Sequence, residues 1–147
     1  MLKNFLNFLR LDGKNNIFVG KKMLVVEDNE IDRKVIVKVL ESHGASLLMA
    51  DTGEVGLQNA KDEGIDCIIL DLNLPDMDGH EVCRKLKEDE QTNSIPVIFL
   101  TAEDKPQNVI DCYDVGGEYY LTKPINSKSL VKQIKMILDE CQASPVS

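Results

Sequence analysis

Five residues of types that do chemistry stand at one kind of place along this chain. Glu27 and Asp28 close the apolar run Met23–Glu27, Asp71 follows Ile65–Leu70, Thr101 follows Pro96–Leu100, and Lys123 follows Glu118–Thr122. Taken singly, an acid after a strand is most simply a helix cap or a solvated turn. Five such residues, each at a strand's carboxyl end, form a constellation instead. Carboxylates brought together without compensation raise one another's pKa. A divalent cation removes that conflict, and an all-oxygen ligand set favours Mg²⁺ over zinc or copper. An Asp beside such an ion can act as a nucleophile toward a phosphoryl group. Catalysis of that transfer is mostly positioning and charge neutralisation, part of which a lysine and a hydroxyl on the phosphoryl oxygens would supply.

The elements that would position these residues are legible as alternating short apolar runs and amphipathic stretches. Strands are expected at Met23–Glu27, Ala45–Met49, Ile65–Leu70, Pro96–Leu100 and Glu118–Thr122. Helices are expected over Glu30–His43, Gly53–Glu63, His80–Glu88, Pro106–Val115 and Asn126–Cys141, the first with apolar Ile31, Val35, Ile36, Val39 and Leu40 and a stop at Gly44. Near-continuous apolar strands alternating with helices imply a parallel sheet buried on both faces, an α/β doubly wound architecture. Ligands of such sheets sit beyond the strands' carboxyl ends, where the strand order reverses. That is where the five residues fall.

Composition narrows the field further. The chain has 147 residues and a net charge of −8, with 43% hydrophobic residues. This fits one domain able to bury a core without a disulfide or zinc staple. A pI near 4.7 argues against direct nucleic-acid binding, which needs a basic face. Cys67, Cys83, Cys112 and Cys141 form no CxxC pair, so they are expected to be reduced structural or incidental thiols in a cytoplasmic protein. His43 and His80 are read as surface or capping residues. The charge divides unevenly: residues 1–22 carry +4 and the remainder −12.

The strings VVEDN (25–29), DLNLPDMDG (71–79), FLTAE (99–103) and YLTKP (120–124) closely resemble the receiver domains of two-component response regulators, chemotaxis-type receivers in particular. The resemblance covers 23–141. It implies a flavodoxin-like five-stranded sheet of order 2-1-3-4-5 with helices on both faces. It implies Asp71 as phosphoacceptor, with Thr101 and Lys123 on the phosphoryl group. Mg²⁺, or Mn²⁺ in its place, would be held by Glu27, Asp28, Asp71 and the backbone carbonyl of Asn73. Thr101 and Tyr120 would form the switch, Asn73 and Glu103 would tune the phosphoryl lifetime toward short values, and Pro124 would follow a cis peptide bond. The partners implied are a histidine kinase or histidine phosphotransfer protein as donor and a downstream protein as target. The chain would be a self-catalysed signalling switch rather than an enzyme. Tyr119, beside Tyr120 on a strand, is expected on the opposite face.

Residues 1–22 lie outside the resemblance and read as a basic amphipathic extension, with Leu2, Phe5, Leu6 and Leu9 at helical spacing; 142–147 read as a short tail. Packing on its own domain and self-association through residues 1–20 are favoured for the extension over docking on a partner or membrane surface. With only six residues after Cys141, a stand-alone receiver signalling through protein contacts is expected. The alternatives are a phosphorelay intermediate, a receiver of a hybrid-kinase system, or a pseudo-receiver that takes no phosphate. A haloacid-dehalogenase-type enzyme fits worse, because Asn73 stands where that family needs a second Asp and the acid pair here precedes the nucleophile.

Overall fold

The computed structural model describes residues 16–102, 116–117 and 119–143. The helix expected over 106–115, Glu103, Cys112 and residues 1–15 of the extension lie outside them. Five strands, β1 (Lys22–Val26), β2 (Ser46–Ala50), β3 (Ile65–Asp71), β4 (Val97–Thr101) and β5 (Tyr119–Thr122), form one parallel sheet of order β2-β1-β3-β4-β5. Among the described residues four helices accompany it: α1 (Glu30–Ser42), α2 (Gly53–Asn59), α3 (Gly79–Glu88) and α4 (Ser127–Ala143). No helix among these residues is long and apolar enough to cross a membrane.

Strand alternation divides the core in two. Leu24, Val26, Ile68, Leu70, Val97 and Phe99 pack with Val82, Cys83 and Leu86 of α3 and with Leu57 and Ala60 at and beside the end of α2. Met23, Val25, Cys67, Ile69, Ile98 and Leu100 pack with Ile36 and Leu40 of α1 and with Leu130, Ile134 and Ile137 of α4. The central strands are apolar throughout because both their faces are covered. Tyr120 joins the first cluster and Tyr119 the second, on opposite faces as alternation requires. The Tyr119 hydroxyl donates to the Glu140 carboxylate at 2.9 Å.

Side-chain caps start the helices where the strand ends need them. Asn29 accepts from the N–H of Asp32, Thr52 from Val55 and Asp78 from His80. Two expectations about helices shift. In α1, Ile31 is 74% exposed and Val35 39%, while Ile36 and Leu40 are buried. At about 100° per residue, Ile31 lies about 140° round the helix from Ile36, so one stripe cannot hold both. α2 ends at Asn59 rather than Glu63. Its hydrogen bonds tighten to i−3 at Lys61 and Asp62, and the charged run Lys61–Glu63 offers nothing to bury.

The chain before β1 also packs on the sheet. Phe18 is 1% exposed within the α1–α4 cluster, and its N–H donates to the His43 carbonyl at 2.8 Å. Gly44, at φ +94°, closes α1 beneath it, where a Cβ would lie 2.5 Å from the Val19 side chain.

Candidate functional site

β1 and β3 are neighbours, and the chain leaves both at the same edge of the sheet. Glu27 and Asp28 therefore follow Val26 beside Asp71, the last residue of β3. One oxygen from each of these three carboxylates falls within a group whose members all lie within 4.8 Å of one another. Lys123 reaches in from beyond β5. Its Nζ lies 2.5 Å from Glu27 Oε1, 3.1 Å from Asp32 Oδ2 and 3.3 Å from Asp71 Oδ2. The Lys123 N–H donates to the Thr101 carbonyl at 2.7 Å, and the Lys123–Pro124 peptide bond is cis.

One ammonium thus faces three carboxylates, Glu27, Asp32 and Asp71, and Asp28 adds a fourth acid beside Glu27 and Asp71. Glu27 is fully buried, and its Oε2 has no hydrogen-bond partner. Burial, then the Asp71 carboxylate beside it, outweigh Lys123 and push the Glu27 carboxyl up to about 8. For Lys123, burial pulls the ammonium down, but the hydrogen bond to Glu27 and the charges of Asp71 and Glu27 outweigh it and hold it above its ordinary value. An uncompensated surplus of oxygen donors, one of them buried and unpartnered, is what a hard divalent cation satisfies. Glu27, Asp28 and Asp71 fit Mg²⁺ in type and spacing.

The loop after β3 is tightly held. The Asn73 N–H donates to Asp71 Oδ1 at 3.1 Å, and the Gly79 N–H to the Leu72 carbonyl at 2.8 Å. A Cβ on Gly79 would collide with the Asp71 carbonyl oxygen, so only glycine lets α3 start this close to the strand end. Asp76 ties the loop to α2, its two oxygens accepting from the N–H groups of Gly53 and Glu54 at 2.7 and 2.9 Å. Those bonds hold the Asp76 carboxyl below its usual range.

The remaining residues singled out in the sequence are placed as follows. Thr101 ends β4, buried to 2% exposure, paired in the sheet with Thr122 and one position past the Asp71 partner Leu100. Asn73 is exposed at the loop's start. Tyr120 is half-buried, its sheet partner being Phe99. Three residues had escaped notice. Asp32 reaches Lys123, Arg33 Nη1 donates to the Glu27 carbonyl at 2.8 Å, and Asp76 clamps the loop. Asp32 and Arg33 lie in the turn that Asn29 caps, so a first-turn acid just after an acid pair was the available signal.

The sequence and the fold have known relatives. Residues 23–135 match the family model described as response regulator receiver domain. The chain is 38% identical over 120 residues to the phosphate regulon transcriptional regulatory protein PhoB of Pseudomonas aeruginosa, covering 82% of this chain and 52% of PhoB. It therefore spans about half the length of that relative. It is 32% identical to Protein PilH of the same organism, covering 80% of this chain and 97% of PilH. The crystal structure of the receiver domain of sensor histidine kinase PA1611 from Pseudomonas aeruginosa, with a magnesium ion coordinated in the active site cleft, superimposes with a TM-score of 0.75 at 28% identity, covering 81% of this chain and 98% of that one.

Proposed function

The chain belongs to the response regulator receiver family, and from that premise we propose that it is a phosphorylation-switched signalling protein whose Asp71 accepts a phosphoryl group from a phosphohistidine. The observation that carries the proposal is the placement of Asp71 against Glu27, Asp28 and Lys123 at the sheet's carboxyl edge. Glu27, Asp28, Asp71 and the Asn73 carbonyl would hold Mg²⁺, an ion that neutralises charge on the transferring phosphoryl oxygens. Lys123 supplies the protein's own positive charge to the same oxygens, and the Thr101 hydroxyl donates to one of them. The Asp71 carboxylate oxygen forms the new O–P bond as the bond from phosphorus to the histidine nitrogen breaks.

Thr101, moving toward the phosphoryl group, would leave space that Tyr120 takes up by turning inward. This changes the surface around β5 that a downstream protein reads. Asn73 and Glu103 would keep the phosphoryl state short-lived. A histidine kinase or histidine phosphotransfer protein is the donor class. The near-complete coverage of PilH supports a receiver that acts as a unit. The likeness to the receiver of a sensor kinase supports a second reading, a step within a phosphorelay.

The test is intact mass after incubation with Mg²⁺ and acetyl phosphate, with Asp71→Asn as control. Addition of one phosphoryl mass to the native chain and none to the variant is expected. No addition, or equal addition to both, would sink the proposal.

A further inference from the structure

Lys123 has three N–H hydrogens and three carboxylates within reach. Two of those, Glu27 and Asp71, belong to the metal and phosphoryl site; the third, Asp32 at 3.1 Å, does not. Asp32 is held where it is. Its N–H donates to the Asn29 cap at 2.9 Å, and the adjacent Arg33 ties the same turn to the Glu27 carbonyl. Its side chain is only 31% exposed, so water screens its charge incompletely.

We propose that Asp32 is a positioning residue for Lys123, drawing the ammonium toward the first turn of α1 and so restraining phosphorylation of Asp71. The inference rests on the phosphoryl transfer proposed above. When Asp71 attacks an acyl phosphate, a new O–P bond forms, the P–O bond to the acyl group breaks, and the carboxylate leaves with the bonding pair; no proton is transferred. The incoming phosphate brings negative charge, and Lys123 must turn an N–H toward it. The ammonium already donates to Glu27 and Asp71 and is paired by charge with Asp32, and Asp32 is the carboxylate that plays no other part in the step. Asp32 acts by competing for the ammonium.

The experiment is the initial rate of phosphorylation by acetyl phosphate in Mg²⁺, across donor concentrations. Asp32→Asn keeps size and the helix position but removes the charge. It is expected to raise the rate at sub-saturating donor by about three- to tenfold, through a lower half-saturating concentration rather than a higher plateau. Asp32→Glu is expected to restore the native rate to within about twofold. In a Lys123→Met background the Asp32→Asn change is expected to alter the rate by less than about twofold, because the residue it acts through is gone. An unchanged rate in Asp32→Asn, or the same gain with and without Lys123, would overturn the inference while leaving the phosphoacceptor assignment standing. A native chain that takes no phosphoryl group would overturn that assignment first.

Discussion

Raising the pH should tighten Mg²⁺ binding steeply, and Glu27 is the cause. Its carboxyl is pushed up to about 8 by burial and by the Asp71 carboxylate beside it. Coordination requires the ionised form, so the apparent affinity follows the deprotonated fraction. That fraction is about 1% at about pH 6, about 10% at about pH 7 and about 90% at about pH 9. The apparent affinity should therefore rise about 90-fold across this range, and close to one proton should leave per ion bound at about pH 7. A carboxyl titrating at its ordinary value of 4.5 would give no gain and release no proton. Calorimetric titration in two buffers of different ionisation enthalpy measures both quantities. Glu27→Gln should bind the ion more weakly but with a flattened pH dependence. Affinity that stays level from about pH 6 to about pH 9, with no proton released, would refute the reasoning. The same group acts on folding. Because its folded value is raised, its contribution to stability is complete below the ordinary value of 4.5 and is lost as the pH climbs through about 8. Mg²⁺ offsets that loss, so the gap in melting temperature between Mg²⁺ and chelator should widen toward alkaline pH.

Three substitutions probe the rest of the arrangement. Lys123→Met removes the ammonium that Glu27, Asp32 and Asp71 share. It should cost about 3 kcal/mol in urea denaturation without metal and markedly less in Mg²⁺; equal losses in both would show that the carboxylates do not depend on it. Gly79→Ala forces a methyl onto the Asp71 carbonyl, and should cost about 1–3 kcal/mol and slow phosphorylation of Asp71. Asp76→Ala strips the acceptors from the first N–H groups of α2. It should lower the urea midpoint by the equivalent of about 1 kcal/mol with an unchanged slope.

Much of the sheet could be read from the chain because its strands are buried on both faces. Ile65–Leu70 and Pro96–Leu100 are nearly continuous apolar runs, and β3 and β4 lie at those places to within one residue. That accuracy carries over to Asp71 and Thr101, which are defined by where those runs stop. Alternation was enough to send Tyr119 and Tyr120 to opposite faces. Helices are less legible where apolar residues are not confined to one stripe. The pattern from Ile31 to Leu40 spans too wide an arc to reveal that Ile36 and Leu40, not Ile31 and Val35, meet the sheet.

Polar contacts between elements were legible only when the polar residue stood at a strand end. Asp32 reads locally as a first-turn acid, favourable beside the positive end of a helix dipole and in need of no further explanation. Its contact with Lys123 depends on how α1 leaves β1 relative to a loop beyond β5, two strands further across the sheet from β3. No local pattern records that angle. Asp76 is similar: PDMDG signals a turn, but not that the turn closes on α2. What local patterns do record is the charge itself. Among the described side chains, Lys123 and the Arg33 guanidinium, which is held on the Glu27 and Asp28 carbonyls, stand against Glu27, Asp28, Asp32 and Asp71, a surplus of negative charge that suits a cation arriving with an anion. Asp32 enlarges that surplus, and with Asp71 as the proposed phosphoacceptor, a residue that does so beside it would bear on how fast the anion is taken up.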